Sequence, residues 1–245
     1  MLKKDKALCL RTVYYSETSQ VVTLFTAQTG KLSAIAKGSR RPKSAFGGAI
    51  EVFSLGDIVY APPRGGKLAT LTEFEQKNLF MGLRKKLFCL NSALFAAELL
   101  SEFTQDNDPH KDLFETVIQF LTDTANAQND LTILGLLILF QLTLLNEVGT
   151  KPVLNQCANC NTAYIQNWPQ TFFSSSANGM ICPDCDQAFV DKVRLSKQSA
   201  AALNDLKLIA QTDQKTLNQV EKVLIYHFTE LIGKPPKTAK YFLKG

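Results

Sequence analysis

Five β-strand patterns within the first 75 residues, a helical period from residue 76 onward and two Cys-x-x-Cys pairs inside the helical part predict a multidomain α+β fold. We expect residues 1–78 to form a five-stranded barrel. Residues 79–245 are expected to form an all-α domain, with a cysteine ribbon inserted at about 153–192. A chain of 245 residues with 45% hydrophobic content is large enough for two compact units.

The strand patterns are short runs rich in apolar, β-branched and aromatic residues, with turn signals between them. Gly30 lies in the turn QTGK, where a positive φ costs glycine little, so the runs on either side should form a hairpin. Gly65-Gly66 marks a turn before the last run. Because no long helical period interrupts these strands, they favour a small closed barrel such as an OB-fold. The five runs are ALCLRTVYY, SQVVTLFTA, LSAIAKG, AIEVFSLGDIVYAPP and KLATLTEFE.

The helical part begins with NLFMGLRKKLFCLNSALFAAELLSEF, whose apolar residues recur at helical spacing. Asp108-Pro109 should start the next helix. Asp130 should cap an apolar helix over 131–148, with Gly149 at its C′ position. The segments SKQSAAALNDLKLIA and QKTLNQVEKVLIYHFTELIG predict two further helices, the second ending before Gly233.

One uncharged run, LTILGLLILFQLTLLN at 131–146, has the composition of a membrane span. It is short for a bilayer crossing and contains several polar residues, so we interpret it as a buried core helix. The N-terminus MLKKDKALCL has no apolar h-region, so we expect neither a secretory signal nor disulfides.

The two cysteine pairs, CANC at 157–160 and CPDC at 182–185, are separated by 21 residues. Strand-like pieces around a turn at Asn178-Gly179 would bring the pairs together, so that four thiolates complete a structural zinc site with no open position. A redox pair is the alternative, but it would be one pair at the start of a helix in a βαβ unit. Cys9 and Cys89 lie in apolar runs and are expected in the core. The predicted zinc ligands are Cys157, Cys160, Cys182 and Cys185.

Positive charge is concentrated in one N-terminal segment. The net charge is +5, and residues 18–50 contain five cations and no Asp or Glu, so the rest of the chain sums to zero. The octapeptide KGSRRPKS at 37–44 is either a solvated loop or a phosphate-binding surface. Because it follows a strand of an OB-type barrel, we favour a cationic groove for nucleic acid with aromatic stacking platforms nearby. The cations are Lys31, Lys37, Arg40, Arg41 and Lys43, and the aromatic candidates, some of which must be barrel core, are Tyr14, Tyr15, Phe25, Phe46 and Phe53.

The sequence lacks the motifs of common enzymes. PPRGGK at 62–67 has neither the first glycine nor the Ser or Thr of a P-loop, and HFTE does not match the zinc-protease or zinc-deaminase signatures. Each of the two histidines, His110 and His227, is expected to be structural. We therefore expect a protein that is not an enzyme.

Residues 13–44, VYYSETSQVVTLFTAQTGKLSAIAKGSRRPKS, resemble the N-terminus of the RecO family of bacterial recombination mediators. The shared pattern is a Ser-Glu-Thr after the first strand, LFT, a Gly-Lys turn and AKGSRRPKS. The resemblance continues through ALFAAELLSEF, DPHKDLFETV, LLNEVGTKP and both cysteine pairs, and so covers essentially the whole chain.

This resemblance implies an N-terminal OB-fold and a helical C-terminal domain, often with a Cys₄ zinc site that some members lack. It implies binding of single- and double-stranded DNA and annealing of complementary strands. It further implies work with RecR, and in many bacteria RecF, to load RecA onto DNA coated by single-strand-binding protein, whose acidic C-terminal tail is also contacted. A cytoplasmic, nucleoid-associated protein without a membrane partner is implied as well. The matching DNA-binding positions are Lys37, Arg40, Arg41 and Lys43, with Lys31 nearby.

Two other classes of function stay open at this point. One is a protein–protein scaffold in which the octapeptide is only a solvated loop and no nucleic acid is bound directly. The other is a zinc-dependent enzyme, which four occupied thiolates would argue against.

Overall fold

The computed structural model of the protein describes residues 1–63, 65 and 68–243. The predicted Gly65-Gly66 turn and the PPRGGK segment include residues outside this part of the chain. In chain order the strands and helices are β1 (Lys3–Tyr14), β2 (Gln20–Thr26), β3 (Gly30–Ala36), β4 (Leu55–Ala61), β5 (Ala69–Asn78), α1 (Leu87–Phe103), α2 (Lys111–Asn126), α3 (Asp130–Glu147), β6 (Thr171–Ser174), β7 (Gly179–Ile181), β8 (Val193–Leu195), α4 (Lys197–Asn204) and α5 (Gln214–Ile232).

Strands β1 to β5 close into a barrel in the order β1-β2-β3-β5-β4, which confirms the predicted five-stranded barrel. Neighbouring strands are antiparallel except β3 and β5, which pair in parallel over residues 34–36 and 69–71. Side chains of β2 and β3 alternate between buried and half-buried positions, as expected for strands with one face on a core. Small residues such as Ala34 and Ala36 share this interior with the large rings of Tyr60 and Phe74.

The barrel belongs to a compact unit that also contains residues 100–125, which comprise the end of α1 and nearly all of α2. The ring of Phe25 packs against that of Phe114 in α2, with 6.1 Å between centroids. Strand β5 ends at Asn78, where the sequence places a domain boundary, whereas the compact unit continues past this residue.

The segment between α1 and α2 lies against the outer edge of β3. The Asn107 N–H donates a hydrogen bond of 2.9 Å to the carbonyl of Lys31, and Lys31 pairs with Asp106 as a parallel bridge. Gly30 has a φ of 78°, and a Cβ at this position would overlap the carbonyl of Asp108. Glycine is therefore required here both by the predicted turn and by the close approach of this segment.

The second compact unit, which we call the helical unit, comprises residues 86–99 and the chain from 126 onward. Helix α3 is buried along most of its length and packs against α5. Between these two helices lies a buried polar pair, in which the Gln141 amide donates to both carboxylate oxygens of Glu221 at 2.9 Å. Glu221 is 1% exposed and Gln141 is fully buried.

The predicted helix ends agree with the structure at the C-termini of α3 and α5 but not at the starts of α2 and α3. Helix α2 begins at Lys111, after the predicted start at Asp108-Pro109. Asn129, not Asp130, is the N-cap of α3, and its side chain accepts a hydrogen bond of 2.9 Å from the N–H of Thr132. The predicted cap is thus wrong by one residue, because an Asn and an Asp in succession both suit this position. Gly149, with a φ of 77°, follows the C-cap of α3, and Gly233 ends α5 in the left-handed region.

Two of the predicted helices are shorter than their sequence patterns suggest. A 3-10 turn at Met81–Lys85 precedes α1, which begins at Leu87. Helix α4 ends at Asn204, and the remainder of its predicted span is a 3-10 turn at Leu206–Gln211. The Asp205 side chain accepts from a nearby backbone N–H, which is the kind of local bond that competes with helix continuation.

Helix α3 is long and apolar enough to cross a membrane by length and composition, and 56% of its 18-residue window is buried inside the protein. Core helices share this composition, and the apolar residues of α3 are mostly buried. The arrangement agrees with its interpretation as a core helix.

Candidate nucleic-acid interface and metal centre

The predicted basic segment, residues 37–44, forms an exposed loop after β3, which we call the basic loop. It begins with a tight turn, in which the Arg41 N–H donates to the carbonyl of Gly38 at 3.0 Å and Gly38 has a φ of 72°. The side chains of Lys37, Arg40, Arg41 and Lys43 are all exposed. The structure therefore brings these predicted cations together on one loop.

A buried glutamine side chain fixes the base of the basic loop. Gln20 in β2 is 1% exposed, and its amide oxygen accepts from the Ser39 hydroxyl and from the Ile50 N–H, each at 2.9 Å. Its amide nitrogen donates to the carbonyl of Ile50, also at 2.9 Å. Because Ser39 is itself fully buried, the loop is anchored through this residue while its four cationic side chains project into solvent.

The basic loop is also hydrogen-bonded to the β1–β2 turn, residues 15–19. The Arg40 N–H donates to the carbonyl of Thr18 at 3.1 Å, and the Arg40 guanidinium donates to the carbonyl of Glu17 at 2.9 Å. The same guanidinium lies over the ring of Tyr14, 4.2 Å from its centroid, in a cation–π contact. These contacts hold Arg40 in one orientation at the end of the barrel.

The charges of the loop are not neutralised by neighbouring carboxylates. Within residues 1–63, 65 and 68–243, no Asp or Glu carboxylate oxygen lies within 4.0 Å of the cationic groups of Lys37, Arg40, Arg41 or Lys43. Four exposed like charges on one anchored loop produce a positive potential that attracts polyanions.

Lys31 is placed differently from the other four cations. Its ammonium donates to the carbonyls of Ser101 and Thr104 at 2.6 Å each and lies 3.7 Å from the carboxylate of Asp106. Its side chain is 15% exposed. Lys31 therefore binds the C-terminal carbonyls of α1, where a cation is favoured by the helix dipole, and is separate from the basic loop.

The five aromatic candidates divide into core and surface residues. Phe25, Phe46 and Phe53 are at most 3% exposed and belong to the interior. Tyr14, the last residue of β1, is 70% exposed, and Tyr15, the first residue of the β1–β2 turn, is 67% exposed. The contact between Tyr14 and Arg40 could not be predicted from the sequence, because it joins residues 26 positions apart through the fold.

The cysteine cluster, Cys157, Cys160, Cys182 and Cys185, lies between α3 and β8. The four sulfur atoms all lie within 4.8 Å of one another, and Cys160 Sγ is 3.7 Å from Cys182 Sγ. Tetrahedral thiolate coordination at about 2.3 Å per bond places sulfur atoms about 3.8 Å apart. The cluster therefore has the dimensions to hold one metal ion.

Donors around the cysteine cluster suit thiolate ligands. The Cys182 N–H points at Cys157 Sγ at 3.4 Å, and the Asn159 amide donates to Cys185 Sγ at 3.3 Å. Hydrogen bonding with Thr162 lowers the pKa of Cys160 to about 6, whereas burial raises the pKa of Cys182 to about 12. A buried thiol of this kind loses its proton when a cation is coordinated, and the cation then offsets the cost of the buried charge.

The ribbon around the cysteine cluster has a small core of its own. Strands β6 and β7 pair around Asn178-Gly179, as predicted, and β8 pairs with the other edge of β6. Trp168 packs with Cys157 and Cys182, and its ring meets that of Tyr164 edge to face with centroids 5.3 Å apart. Cys9 and Cys89 are buried outside the cluster, as expected.

The histidine nearest to a potential nucleophile is enclosed by the helical unit. His227 is fully buried, its Nδ1 lies 2.7 Å from the Ser175 hydroxyl, and burial lowers its pKa to about 4. The Ser175–His227 contact therefore lies in the packed interior and is closed to bulk solvent.

Comparison with known proteins gives matches to one protein family over nearly all of the chain. The family model described as "Recombination protein O N terminal" matches residues 1–80, and that described as "Recombination protein O C terminal" matches residues 84–240. A protein named DNA repair protein RecO from Bacillus pumilus (strain SAFR-032) is 31% identical over 248 residues, covering 98% of this chain and 93% of the relative.

Other relatives carry the same name. The protein from Anaeromyxobacter sp. (strain K) is 34% identical over 200 residues, covering 82% of this chain and 77% of its own. The protein from Bacillus subtilis (strain 168) is 28% identical over 249 residues, covering 98% of this chain and 94% of its own. The similarity thus extends over both the barrel and the helical unit.

Proposed function

Because this chain belongs to the RecO family of DNA repair proteins, we propose that it is a non-enzymatic mediator of DNA repair and homologous recombination. It binds single- and double-stranded DNA without sequence preference and anneals complementary strands. The observation that carries this proposal is the basic loop, which presents Lys37, Arg40, Arg41 and Lys43 on an anchored scaffold, without a carboxylate within 4.0 Å of them in the described chain.

The physics of the loop fits binding to the phosphate backbone. Exposed Lys and Arg side chains displace condensed counterions from DNA, so affinity should fall steeply with salt and depend little on base sequence. Two complementary strands repel each other, and a cationic surface lowers that barrier. Duplex formation supplies the driving free energy, so annealing needs no nucleotide hydrolysis.

The partners of the pathway are part of the proposal and are supported by family membership. We propose that the protein works with RecR to load RecA onto DNA coated by single-strand-binding protein, and that it contacts the C-terminal tail of that protein. This work takes place in the cytoplasm, in association with the nucleoid.

We further propose that the cysteine cluster holds a structural zinc ion. Four thiolates at these distances match the ligand set that zinc prefers, and they leave no position for a substrate. The ion would brace the ribbon that contains Trp168, while DNA binding is assigned to the basic loop.

The salt dependence of oligonucleotide binding tests the function. We expect log Kd to rise linearly with log salt for the wild type. In Arg40→Ala/Arg41→Ala the slope should become shallower by roughly two contacts, equally for unrelated sequences. The control is Lys207→Ala/Lys215→Ala, which removes two exposed cations of the helical unit. A salt-independent affinity, or a loss confined to one sequence, would contradict the proposal.

A scaffold without direct nucleic-acid binding is the alternative, and annealing separates the two. With complementary strands coated by their binding protein, the full chain should accelerate duplex formation, and Arg40→Ala/Arg41→Ala should be slower. If the full chain binds no oligonucleotide at low salt, the scaffold function replaces the proposed one.

A further inference from the structure

We propose that Tyr15 stacks on an unpaired base and that Tyr14 positions Arg40, so that the end of β1 makes the interface prefer single strands. This inference rests on the proposed function, since it assigns a second kind of contact to the same interface. The basic loop supplies affinity for any phosphate backbone, and the tyrosine adds a contact that only an accessible base can make.

The first observation is the exposure of Tyr15. Tyr15 is 67% exposed, whereas Tyr60 in the barrel core is 1% exposed. Within the described residues no aromatic ring or cation lies on the ring of Tyr15, and two thirds of the residue is open to solvent. Such a ring can accept a base without displacing a partner.

The second observation is that Tyr15 belongs to the β1–β2 turn, to which the basic loop is hydrogen-bonded. The Tyr15 N–H donates to the carbonyl of Ser19 at 3.0 Å, which closes the β1–β2 turn. The basic loop is bonded to this same turn through Arg40 and through the Gly38 N–H, which donates to Ser19 Oγ at 3.2 Å. An exposed tyrosine and a cationic loop are therefore joined to the same turn, and proteins that bind single strands combine these two kinds of residue.

Tyr14 has a different role, because the Arg40 guanidinium lies over one face of its ring, 4.2 Å from the ring centroid. The stack and the bond to the Glu17 carbonyl restrict the guanidinium to one direction. A guanidinium that is held in place loses less conformational freedom when it binds phosphate. Tyr14 is thus a positioning residue that acts through Arg40.

The two parts predict different selectivity. In duplex DNA the bases are stacked inside the helix, so only the phosphates are available to the cations. In a single strand the bases can leave the stack, and an aromatic side chain can then cover one of them. Loss of the Tyr15 ring should weaken binding to single strands alone, whereas loss of the Arg40 position should weaken binding to every DNA.

Fluorescence anisotropy with three labelled probes of equal length tests this in the full chain: a single strand, the same strand with abasic sites throughout, and a duplex. For Tyr15→Ala we expect roughly 5- to 100-fold weaker binding to the normal single strand and unchanged binding to the other two probes. Tyr15→Phe should bind as the wild type does. Tyr241→Ala, which removes an exposed tyrosine of the helical unit, is the matched control and should have no effect.

For Tyr14→Ala we expect roughly 2- to 5-fold weaker binding to all three probes, with recovery in Tyr14→Phe, because a phenyl ring still supports the guanidinium. The stacking part is overturned if Tyr15→Ala binds the single strand like the wild type, or loses the same factor on all three probes. The positioning part is overturned if Tyr14→Ala has no effect, or if Tyr14→Phe is as weak. A wild type that binds none of the probes refutes the proposed function itself, which is a distinct outcome.

Discussion

Replacing Glu221 with glutamine should change how the stability of the helical unit depends on pH. Glu221 in α5 is 1% exposed, and its carboxylate accepts both of its hydrogen bonds from the Gln141 amide. Burial raises the pKa of this carboxyl to about 8 from an ordinary 4.5, although the bond from Gln141 acts in the opposite direction. Glutamine has nearly the same shape but carries no charge at any pH.

The magnitude follows from the two pKa values. Between pH 4.5 and 8 the folded chain keeps this proton while the unfolded chain releases it, so the folded state binds more protons. The free energy of unfolding must therefore fall as pH rises through this window. At 1.36 kcal/mol per pH unit the full loss above pH 8 is about 5 kcal/mol, of which about 3–4 kcal/mol falls between pH 5 and 8.

Urea unfolding at several pH values, followed by the fluorescence of Trp168, measures this effect. The stability of Glu221→Gln relative to the wild type should increase from pH 5 to pH 8 by about 3–4 kcal/mol. Because His227 is present in both proteins, its contribution to the pH dependence cancels when the wild-type free energy of unfolding is subtracted from that of the variant. Glu230→Gln, an exposed carboxyl of the same helix, should show no such trend. A difference between Glu221→Gln and wild type that is flat across pH would refute the reasoning.

Three other substitutions or treatments have defined outcomes. Gly30→Ala should lower the free energy of unfolding by at least about 2 kcal/mol in urea titrations, because it combines left-handed backbone with a steric overlap. Gly47→Ala, at a φ of 66° with open space around it, should lower the free energy of unfolding by about 1 kcal/mol. Equal losses in the two variants would show that the overlap at Gly30 is relieved. Lys31→Ala should reduce stability because it removes bonds to helix carbonyls, and it should leave the salt slope of DNA binding unchanged; a shallower slope would place Lys31 in the interface. Treatment with a chelator, or the substitution Cys157→Ser, should release zinc that mass spectrometry can measure, and it should shift the emission of Trp168. If the emission of Trp168 is the same with and without metal, the packing of the ribbon core does not depend on the metal.

Local patterns were sufficient to predict the architecture. The strands of the barrel follow period-2 burial, and the glycine in QTGK lies at the turn between β2 and β3 as predicted. The pattern of two Cys-x-x-Cys pairs is typical of a metal-binding ribbon and predicted that the four sulfur atoms lie close together, as they do. The error at Asp130 arose because neighbouring residues compete for one cap, and sequence does not decide between them.

Contacts between segments that are distant in the chain could not be predicted from the sequence. Lys31 lies in the same acid-free segment as the loop cations, yet its ammonium binds carbonyls 70 and 73 residues away. The anchoring of the basic loop by Gln20 was missed as well, since a polar residue at an inward strand position is a signal only when its partners are known. Composition located the positive charge, but only the fold shows which cations are free and how they are held.

The pairing of residue 106 beside β3 has a consequence for handling the barrel alone. Strand β3 joins β5 only over residues 34–36, so the first half of its outer edge would display unpaired N–H and C=O groups if the segment between α1 and α2 were removed. Exposed strand edges recruit strands from other chains and promote aggregation. A fragment truncated after the barrel would expose this unpaired strand edge. Its self-association would result from the truncation, because the segment between α1 and α2 covers the edge in the full chain.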